Sequence, residues 1–279
     1  MYWKRCGEWQ QIWGWNSLYW VMVMALADSH VHLDWYAEPA PIIERARRAD
    51  VAPLVGVSVD LASARRTIQI AYQYWGIITA IGFHPAYVPD DYAPGHLAEL
   101  VRLASDPSVG CIGEIGIDTL DSEVPLDRQM MAFQGQLALA NRLALPVNLH
   151  LRGDIDPALD LLARNGLAHG GIVHYFVGDE AAARRYLALG LTISVGKPVT
   201  RPENGVLRQA ITRLPLDRLV LETDSYPLPG RSTEPSDVVV IAREVAELRG
   251  ILLEDVASVT TDNLRRLLPS RAWEWAARS

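Results

Sequence analysis

The chain has 279 residues, of which 49% are hydrophobic and 21% charged, so it can bury a sizeable core. Its formal net charge is -7 and its pI about 5.5. These values argue against a protein that coats nucleic acid, because such a protein needs a broad basic surface. They remain compatible with a small anionic substrate that a few local cations hold.

The cysteine content and the hydropathy indicate the cellular setting. The two cysteines, Cys6 and Cys111, form no disulfide framework, and Cys111 sits in an apolar run where an inert core thiol is expected. A reducing, cytoplasmic setting is therefore predicted. No segment after residue 24 reaches the ~20 apolar residues of a membrane span, so no membrane partner is predicted. The oligomeric state is not readable from the sequence.

The first 23 residues differ in composition from the rest and hold five of the nine tryptophans. A signal peptide is disfavoured, because polar residues interrupt the apolar run and cleavage after Ala27 would cut into the first predicted strand. The alternative is that Met24 is the natural start and that residues 1–23 are an upstream translation. We expect a tryptophan-rich extension over 1–23, a single domain over 24–270 and a tail over 271–279.

From residue 25 onward, short strand-like runs alternate with longer amphipathic ones. The runs are short and rich in Val and Ile, as parallel strands buried on both faces should be. They are ALADSHVH (25–32), APLVGVSV (52–59), IITAIGFH (77–84), VGCIGEIGI (109–117), PVNLHLR (146–152), GIVHYF (171–176), LTISVG (191–196) and LVLETDS (219–225). Helices are predicted at 41–49, 125–144 and 157–166, the first opening with a proline and the last ending in a glycine.

Eight β–α alternations favour either a closed (β/α)₈ barrel or an open doubly wound sheet. Five of the seven histidines fall at strand ends: His30, His32, His84, His150 and His174. Packing explains poorly why five polar rings lie at equivalent depths, because each unpaired buried group costs ~1–3 kcal/mol. If His30 of the first strand and Asp224 of the last share one site, those strands must be neighbours. A closed barrel makes them neighbours, whereas an open sheet generally does not. We therefore predict a single (β/α)₈ barrel.

The same residues predict a metal centre. His30 and His32 alternate along a strand and so point to one face, as two ligands of one ion would. With His150 and His174 neutral, Glu114 and Asp224 bring two negative charges, so two divalent cations leave about two positive charges for a phosphate and a hydroxide. Two-metal sites of this kind have ions roughly 3.5–4 Å apart.

Several motifs, in one order from Met24 to Pro269, resemble a known family. They are DSHVHLD, IGFHP, GEIGID, PVNLHLR, IVHYFVG, LTISVG, LVLETDS and TTDNLRRLL. The sequence is similar to the TatD-type metal-dependent deoxyribonucleases of the amidohydrolase-like barrel superfamily. The resemblance implies a barrel, two divalent ions (Zn, Mg or Mn) and phosphodiester hydrolysis, often 3′→5′ trimming of DNA. It places the metal ligands at His30, His32, Glu114, His150, His174 and Asp224.

The resemblance also places two substrate residues near the scissile phosphate, His84 and Arg152. Two stretches depart from the family pattern. GIDTLDSE keeps Asp118 but lacks the aromatic residues that commonly follow it, and ETDSYPLP interchanges Tyr226 and Pro227. Both lie in loops on the substrate side, so they bear on the identity of the substrate more than on metal binding.

These residues suggest individual roles, each with a structural alternative. Asp224 is expected to bind a metal and act as general base, and Glu114 to bridge or bind one metal. Arg152 lies two residues beyond His150 and can fork onto a phosphate; a surface ion pair is the alternative. His84 can donate to a phosphate oxygen or to the leaving group, or make a structural hydrogen bond. Groups expected to orient ligands or to steer an anion are Asp28, Asp118, Glu222, Lys197 and Arg201.

Three other functions remain open at this point. Relatives with a carboxylated lysine on the fourth strand hydrolyse other esters and amides, but Glu114 stands at that depth, while the two lysines are Lys4 and Lys197. Hydrolysis of RNA or of aminoacyl-tRNA is compatible with the same residues. A catalytically silent barrel would be indicated by a lost ligand, and none of the predicted ligands is lost.

Overall fold

The structure is a computed structural model that describes residues 26–230 and 233–278. Its eight strands form one sheet in the order of the chain, and every neighbouring pair is parallel. The strands are β1 (Leu26–Val31), β2 (Val51–Val57), β3 (Ile77–Ile81), β4 (Val109–Asp118), β5 (Val147–Arg152), β6 (Gly171–Val173), β7 (Leu191–Val195) and β8 (Leu219–Leu221).

Backbone hydrogen bonds between the ends of β1 and β8 close the sheet into a barrel. The amide of His32 donates to the carbonyl of Ser225 (3.0 Å), and the amide of Asp224 donates to the carbonyl of His30 (3.0 Å). Closure by the last strand onto the first confirms the predicted (β/α)₈ barrel and brings the carboxyl ends of all strands to one mouth.

Helices follow the strands around the outside of the barrel. Within the described residues they are α1 (Ala40–Arg48), α2 (Leu61–Gln73), α3 (Pro94–Leu103), α4 (Leu126–Leu143), α5 (Asp156–Asn165), α6 (Glu180–Ala188), α7 (Gly205–Arg213), α8 (Val238–Arg249), α9 (Leu253–Leu267) and α10 (Ser270–Ala276). The three helices predicted from periodicity each lie within about one residue of the expected bounds, as α1, α4 and α5. None of the helices in the described ranges is long and apolar enough to cross a bilayer.

The strands are buried on both faces, which explains their continuous apolar sequences. β2 and β4 are buried along their whole length, between side chains that fill the barrel and helices packed outside it. Cys111 of β4 is a free, fully buried thiol, and burial raises its pKa to about 12. It is therefore the inert core residue that was predicted.

Three strands end three or four residues earlier than their sequences suggested, and the difference positions the site. β3 ends at Ile81, β6 at Val173 and β8 at Leu221, so His84, His174 and Asp224 lie in the loops that follow. The backbone leaves the ladder there: the amide of His84 donates to the carbonyl of Val59 (3.0 Å), and Asp224 adopts a left-handed conformation (φ 47°).

The carboxyl-terminal end of the chain forms a helix against the barrel. The predicted extension over 1–23 lies outside the described residues. Residues of the predicted tail form most of α10, whose Ala272 and Ala276 are buried. The amide of Gly76 donates to the carbonyl of Ala276 (2.8 Å), which ties α10 to the end of the barrel opposite the mouth. The domain boundaries themselves remain predictions.

Candidate metal centre

The six predicted ligands converge at the mouth of the barrel around one carboxylate, that of Glu114. Its side chain is 2% exposed. One oxygen, Oε1, lies 2.7 Å from Nε2 of His174 and 2.8 Å from Nδ1 of His150. The other oxygen, Oε2, lies 3.4 Å from Nε2 of His30 and 3.7 Å from Nε2 of His32. The two oxygens of Glu114 therefore face two different groups of donor atoms.

We name these groups the first and the second donor cluster. The first contains Nε2 of His30, Nε2 of His32, Oε2 of Glu114 and Oδ1 of Asp224. The second contains Nδ1 of His150, Nε2 of His174 and Oε1 of Glu114. Asp224 completes the first cluster, because its Oδ1 lies 3.6 Å from Nε2 of His32 and 4.0 Å from Nε2 of His30.

A glycine permits the close approach of the two strands that carry Glu114 and His150. Gly116 of β4 is in register with His150 of β5 and has a φ of +146°. A Cβ at this position would lie 1.9 Å from the carbonyl oxygen of His150, so any other residue would force the strands apart. Gly116 thus keeps Oε1 of Glu114 within reach of the His150 ring.

Hydrogen bonds on the far side of the rings orient the two histidines of the first cluster. Nδ1 of His30 lies 3.1 Å from Oδ1 of Asn148, whose amide nitrogen donates to the carbonyl of Ser29 (3.3 Å). Oδ1 of Asn148 is thus an acceptor, and His30 carries its proton on Nδ1. Nδ1 of His32 likewise donates to the carbonyl of Val57 (3.1 Å). Both Nε2 atoms then present lone pairs to the site, as metal ligands must.

Carboxylates stand behind the histidines of the second cluster. Nε2 of His150 lies 3.1 Å from Oδ2 of Asp118, and Nδ1 lies 2.8 Å from Oε1 of Glu114, so each ring nitrogen faces a carboxylate. A neutral ring with its proton toward Asp118 would offer the Nδ1 lone pair to a metal. Nδ1 of His174 lies 3.6 Å from Oε1 of Glu222, too long for a full hydrogen bond. Asp118 therefore lies within hydrogen-bond distance of its histidine, whereas Glu222 lies just beyond it, and the orienting role of both stays a prediction.

The donor set fits divalent cations. Nε2 of His30 and Nε2 of His32 lie 3.4 Å apart, and Nδ1 of His150 lies 3.1 Å from Nε2 of His174. When both rings of a pair are neutral and offer lone pairs, nitrogens at these distances repel unless a positive charge lies between or beside them. Overlapping sets of these side chains, together with Glu222 and His84, bring ligand atoms within 4.8 Å of one another. Nitrogen and carboxylate oxygen are the ligands that zinc and related ions accept.

The electrostatics of the buried site favour positive charge beside Glu114. Burial pushes the pKa of Glu114 up, but His174, His30 and His84 and the hydrogen bond from His150 outweigh it and hold the pKa well below its usual range. Burial lowers the pKa of His174, yet the charge of Glu114 outweighs it and raises the pKa well above 6.5. Bound divalent ions satisfy the same demand for positive charge.

His84 is placed beside the second cluster but differs from the ligands in its tautomer. Its Nδ1 accepts a hydrogen bond from the amide of Ala86 (3.0 Å), so a neutral ring carries its proton on Nε2. That nitrogen points to the site, 3.9 Å from Oε1 of Glu114. Burial lowers the pKa of His84 to about 4. The ring is therefore neutral near pH 7 and offers a donor, not a lone pair.

Arg152 lies at the rim, two residues beyond His150 on β5. Its side chain is 49% exposed, and its guanidinium pairs with Asp121 and lies 4.0 Å from Oδ2 of Asp118. The surface ion pair predicted as the alternative for Arg152 is thus present, and the phosphate contact stays a prediction.

The remaining predicted residues lie farther from the donor clusters. Asp28 accepts from the amide of Thr223 (3.0 Å) and from the amide of His30 (3.1 Å), which holds the Asp224 loop against β1. Lys197 donates to Oγ1 of Thr233 (2.8 Å). Arg201 is exposed after the turn that follows β7.

Sequence reasoning missed two residues that touch the ligands. Asn148 lies two positions before His150 in PVNLHLR and so on the same strand face, a signal that could have identified it. Trp35 stacks on the His32 ring with centroids 4.8 Å apart and planes 22° apart. It follows the DSHVHLD motif directly, but nothing in its spacing indicates a contact with a ligand.

Known proteins resemble this chain over most of its length. A family model described as TatD related DNase matches residues 27–269. The uncharacterized metal-dependent hydrolase YabD of Bacillus subtilis is 34% identical over 251 residues, 87% of this chain and 98% of that protein. The putative deoxyribonuclease TATDN3 of Mus musculus is 30% identical, over 89% of this chain and 90% of that protein.

A solved structure is similar over the same range. The crystal structure of YjjV, the TatD homolog of Escherichia coli K12, matches with a TM-score of 0.80 at 30% identity, covering 88% of this chain and 99% of that one. The family model, the sequence identity to relatives and the fold thus agree. The chain belongs to the TatD family of metal-dependent hydrolases.

Proposed function

We propose that this chain is a two-metal nuclease that hydrolyses phosphodiester bonds, with DNA as the favoured substrate and removal of nucleotides from a 3′ end as the favoured mode. The observation that supports this proposal is that the two oxygens of Glu114 face separate donor clusters. The first cluster holds His30, His32 and Asp224, and the second holds His150 and His174. A cytoplasmic location remains a prediction.

The donor clusters and the groups around them support separate roles for the metal ions, a proton acceptor and a proton donor. Bound divalent ions would supply an acidified water and a positive charge at the phosphoryl oxygen. Asp224 would accept the proton of the attacking water, because its carboxylate lies in the first cluster and burial raises its pKa to about 6. Nε2–H of His84 would donate to a phosphate oxygen or to the leaving oxygen.

Arg152 would hold the phosphate from the rim of the barrel. Its guanidinium now pairs with Asp121, whose side chain is 62% exposed. Exposed pairs of this kind contribute only about 0–1 kcal/mol, so a phosphate can displace Asp121 at small cost. A guanidinium matches two phosphate oxygens at once, which an ammonium does not.

A screen for chelator-sensitive hydrolysis tests the proposal. We expect the purified chain, loaded with Zn, Mn or Mg, to cleave single- or double-stranded DNA and to lose that activity in EDTA. RNA, aminoacyl-tRNA and a small-molecule ester are run in parallel as the alternative substrates. Activity confined to one of those, or none on any substrate with metal bound, would refute the deoxyribonuclease proposal.

Substitutions at the rim test the role of Arg152. We expect Arg152→Ala to lower kcat/KM for a DNA oligonucleotide by about 10–100-fold, because a charge-assisted hydrogen bond contributes about 1.5–3 kcal/mol. Arg152→Lys should recover little of this loss. Asp121→Asn is the matched variant; it frees the guanidinium and should lower KM by up to about fivefold.

The metal content of each Arg152 variant shows whether a loss of activity comes from the phosphate contact or from lost metal. Arg152 contacts no donor atom of either cluster among the recorded hydrogen bonds and ion pairs of the described residues, so occupancy should match the wild type. Wild-type kcat/KM in Arg152→Ala would assign Arg152 to the ion pair with Asp121 alone.

A further inference from the structure

Aromatic rings form a continuous surface from the first donor cluster to the outer rim. Trp35 stacks on the ring of His32 and is 37% exposed. Tyr226, two residues after Asp224, makes T-shaped contacts with the rings of Trp35 (5.2 Å between centroids) and His32 (6.0 Å). A planar group bound at the donor cluster would therefore meet ring faces and edges immediately beside it.

A pocket opens next to these rings on the same side of the mouth. It has a volume of about 410 Å³ and is lined by Tyr36, Tyr226 and the apolar segment 227–229, with Thr233 and Glu234 at its border. Ligand pockets span about 300–1,000 Å³, so this volume suits one nucleoside-sized group and not a duplex. At the border, Arg45 donates two hydrogen bonds to the carboxylate of Glu234 (2.6 and 2.8 Å).

The aromatic surface lies across the barrel from the predicted phosphate contact. Trp35 follows β1 and Tyr226 follows β8, which are neighbours, whereas Arg152 ends β5. In a ring of eight strands, β5 is on the far side from β1. A nucleotide whose phosphate lies between the clusters can thus meet Arg152 on one side and the aromatic rings on the other.

We propose that Trp35 and Tyr226, with the adjoining pocket, form a subsite for the nucleobase of the nucleotide whose phosphate is attacked. The proposal rests on the proposed function and narrows its substrate to strands with an unpaired end. A base offers two apolar faces and a polar edge, which fit aromatic rings and the Thr233–Glu234 border. A base within a duplex is already stacked and paired, so it must leave the helix to reach these rings.

Two matched substrates and three variants test the subsite. One substrate is a short single-stranded oligonucleotide, and the other is identical except for an abasic residue at the cleaved end. Trp35→Ala and Tyr226→Ala should each lower kcat/KM on the base-bearing substrate by about tenfold, since a stacked base contributes ~1–3 kcal/mol. On the abasic substrate the loss should be below twofold. Trp35→Phe keeps a ring face and should recover much of the loss.

Tyr72→Ala is the control for removing an exposed aromatic ring elsewhere. Tyr72 is 60% exposed and packs against Trp275 of α10, at the end of the barrel opposite the mouth. It should leave kcat/KM unchanged on both substrates. Metal content is measured for each variant, and the abasic substrate reports on the integrity of the metal centre, because His32 and Asp224 are close to the altered rings.

A binding measurement separates this proposal from the hydrolysis it rests on. Calorimetric titration with a deoxynucleoside 5′-monophosphate should give at least about tenfold tighter binding than deoxyribose 5-phosphate, and Trp35→Ala should abolish the difference. Base-dependent binding without DNA cleavage would support the proposed subsite and contradict the proposed nuclease activity. Equal binding of both ligands, or equal losses on both oligonucleotides, would refute the subsite even if DNA is cleaved.

Discussion

Two divalent ions per chain are expected after metal loading and dialysis, and single substitutions should remove them selectively. His30→Ala takes a donor from the first cluster and His174→Ala takes one from the second, so each should bring the stoichiometry toward one. Glu114→Ala removes an oxygen from both clusters and should bring it toward zero. Elemental analysis of the dialysed protein measures these values.

His169→Ala is the control, because His169 is an exposed residue between α5 and β6. It should retain two ions. A stoichiometry of one in the wild type, unchanged by His30→Ala and by His174→Ala, would contradict the two-metal proposal. A single ion lost in only one of these variants would assign the binding site to that cluster alone.

Thermal unfolding gives a second readout of the same loss. A ligand at 100 times its Kd stabilises the folded state by about 2.7 kcal/mol. For a chain of this size that corresponds to a Tm shift of roughly 5–10 °C on adding EDTA. The shift should shrink in His30→Ala and His174→Ala and vanish in Glu114→Ala.

The strands and the candidate ligands could be located from sequence because both leave local signals. Parallel strands buried on two faces read as short runs of Val and Ile, and helices between them show their own periodicity. His30 and His150 lie within strands, so their facing follows from the alternation of side chains. Polar residues at the ends of such runs have few packing roles, which is why they marked the mouth of the barrel.

Other features depend on contacts that local sequence does not encode. β8 ends four residues before the predicted bound, because Asp224 turns to bond the backbone of His30 on a strand almost two hundred residues away. The tautomer of His30 depends on Asn148 across the barrel, and that of His84 on an amide two residues on. The stacking of Trp35 on His32 requires the turn after β1, which no periodicity predicts.

Asp224→Asn is expected to lose at least ~100-fold in kcat while keeping a substantial share of its metal, because removal of a general base typically costs ~10²–10⁴-fold. The backbone favours this substitution above others. Asp224 has a φ of 47°, a left-handed conformation that Asp and Asn tolerate and other non-glycine residues rarely adopt. Asparagine therefore keeps the turn, an oxygen at the Oδ1 position and the volume, and removes basicity and one negative charge.

The pH dependence provides an independent test of the same assignment. Asp224 must be ionised to accept a proton, so kcat of the wild type should rise with pH in one limb. The pKa of that limb belongs to the coupled unit of water and carboxylate and not to one group. In Asp224→Asn the limb should move or flatten. Metal content is measured alongside, and any variant that is partly empty is assayed again at saturating metal.

Near-normal kcat in a fully loaded Asp224→Asn would overturn the assignment of Asp224 as the base and leave it as a ligand only. Asp217→Asn makes the same chemical change at an exposed position near the opposite end of the barrel and should have wild-type kcat. Because Oδ1 of Asp224 is 3.6 Å from Nε2 of His32, a ligand role alone predicts reduced metal affinity with unchanged kcat at saturation. A role as general base predicts that kcat stays low even at saturating metal, because adding metal cannot replace the lost proton acceptor.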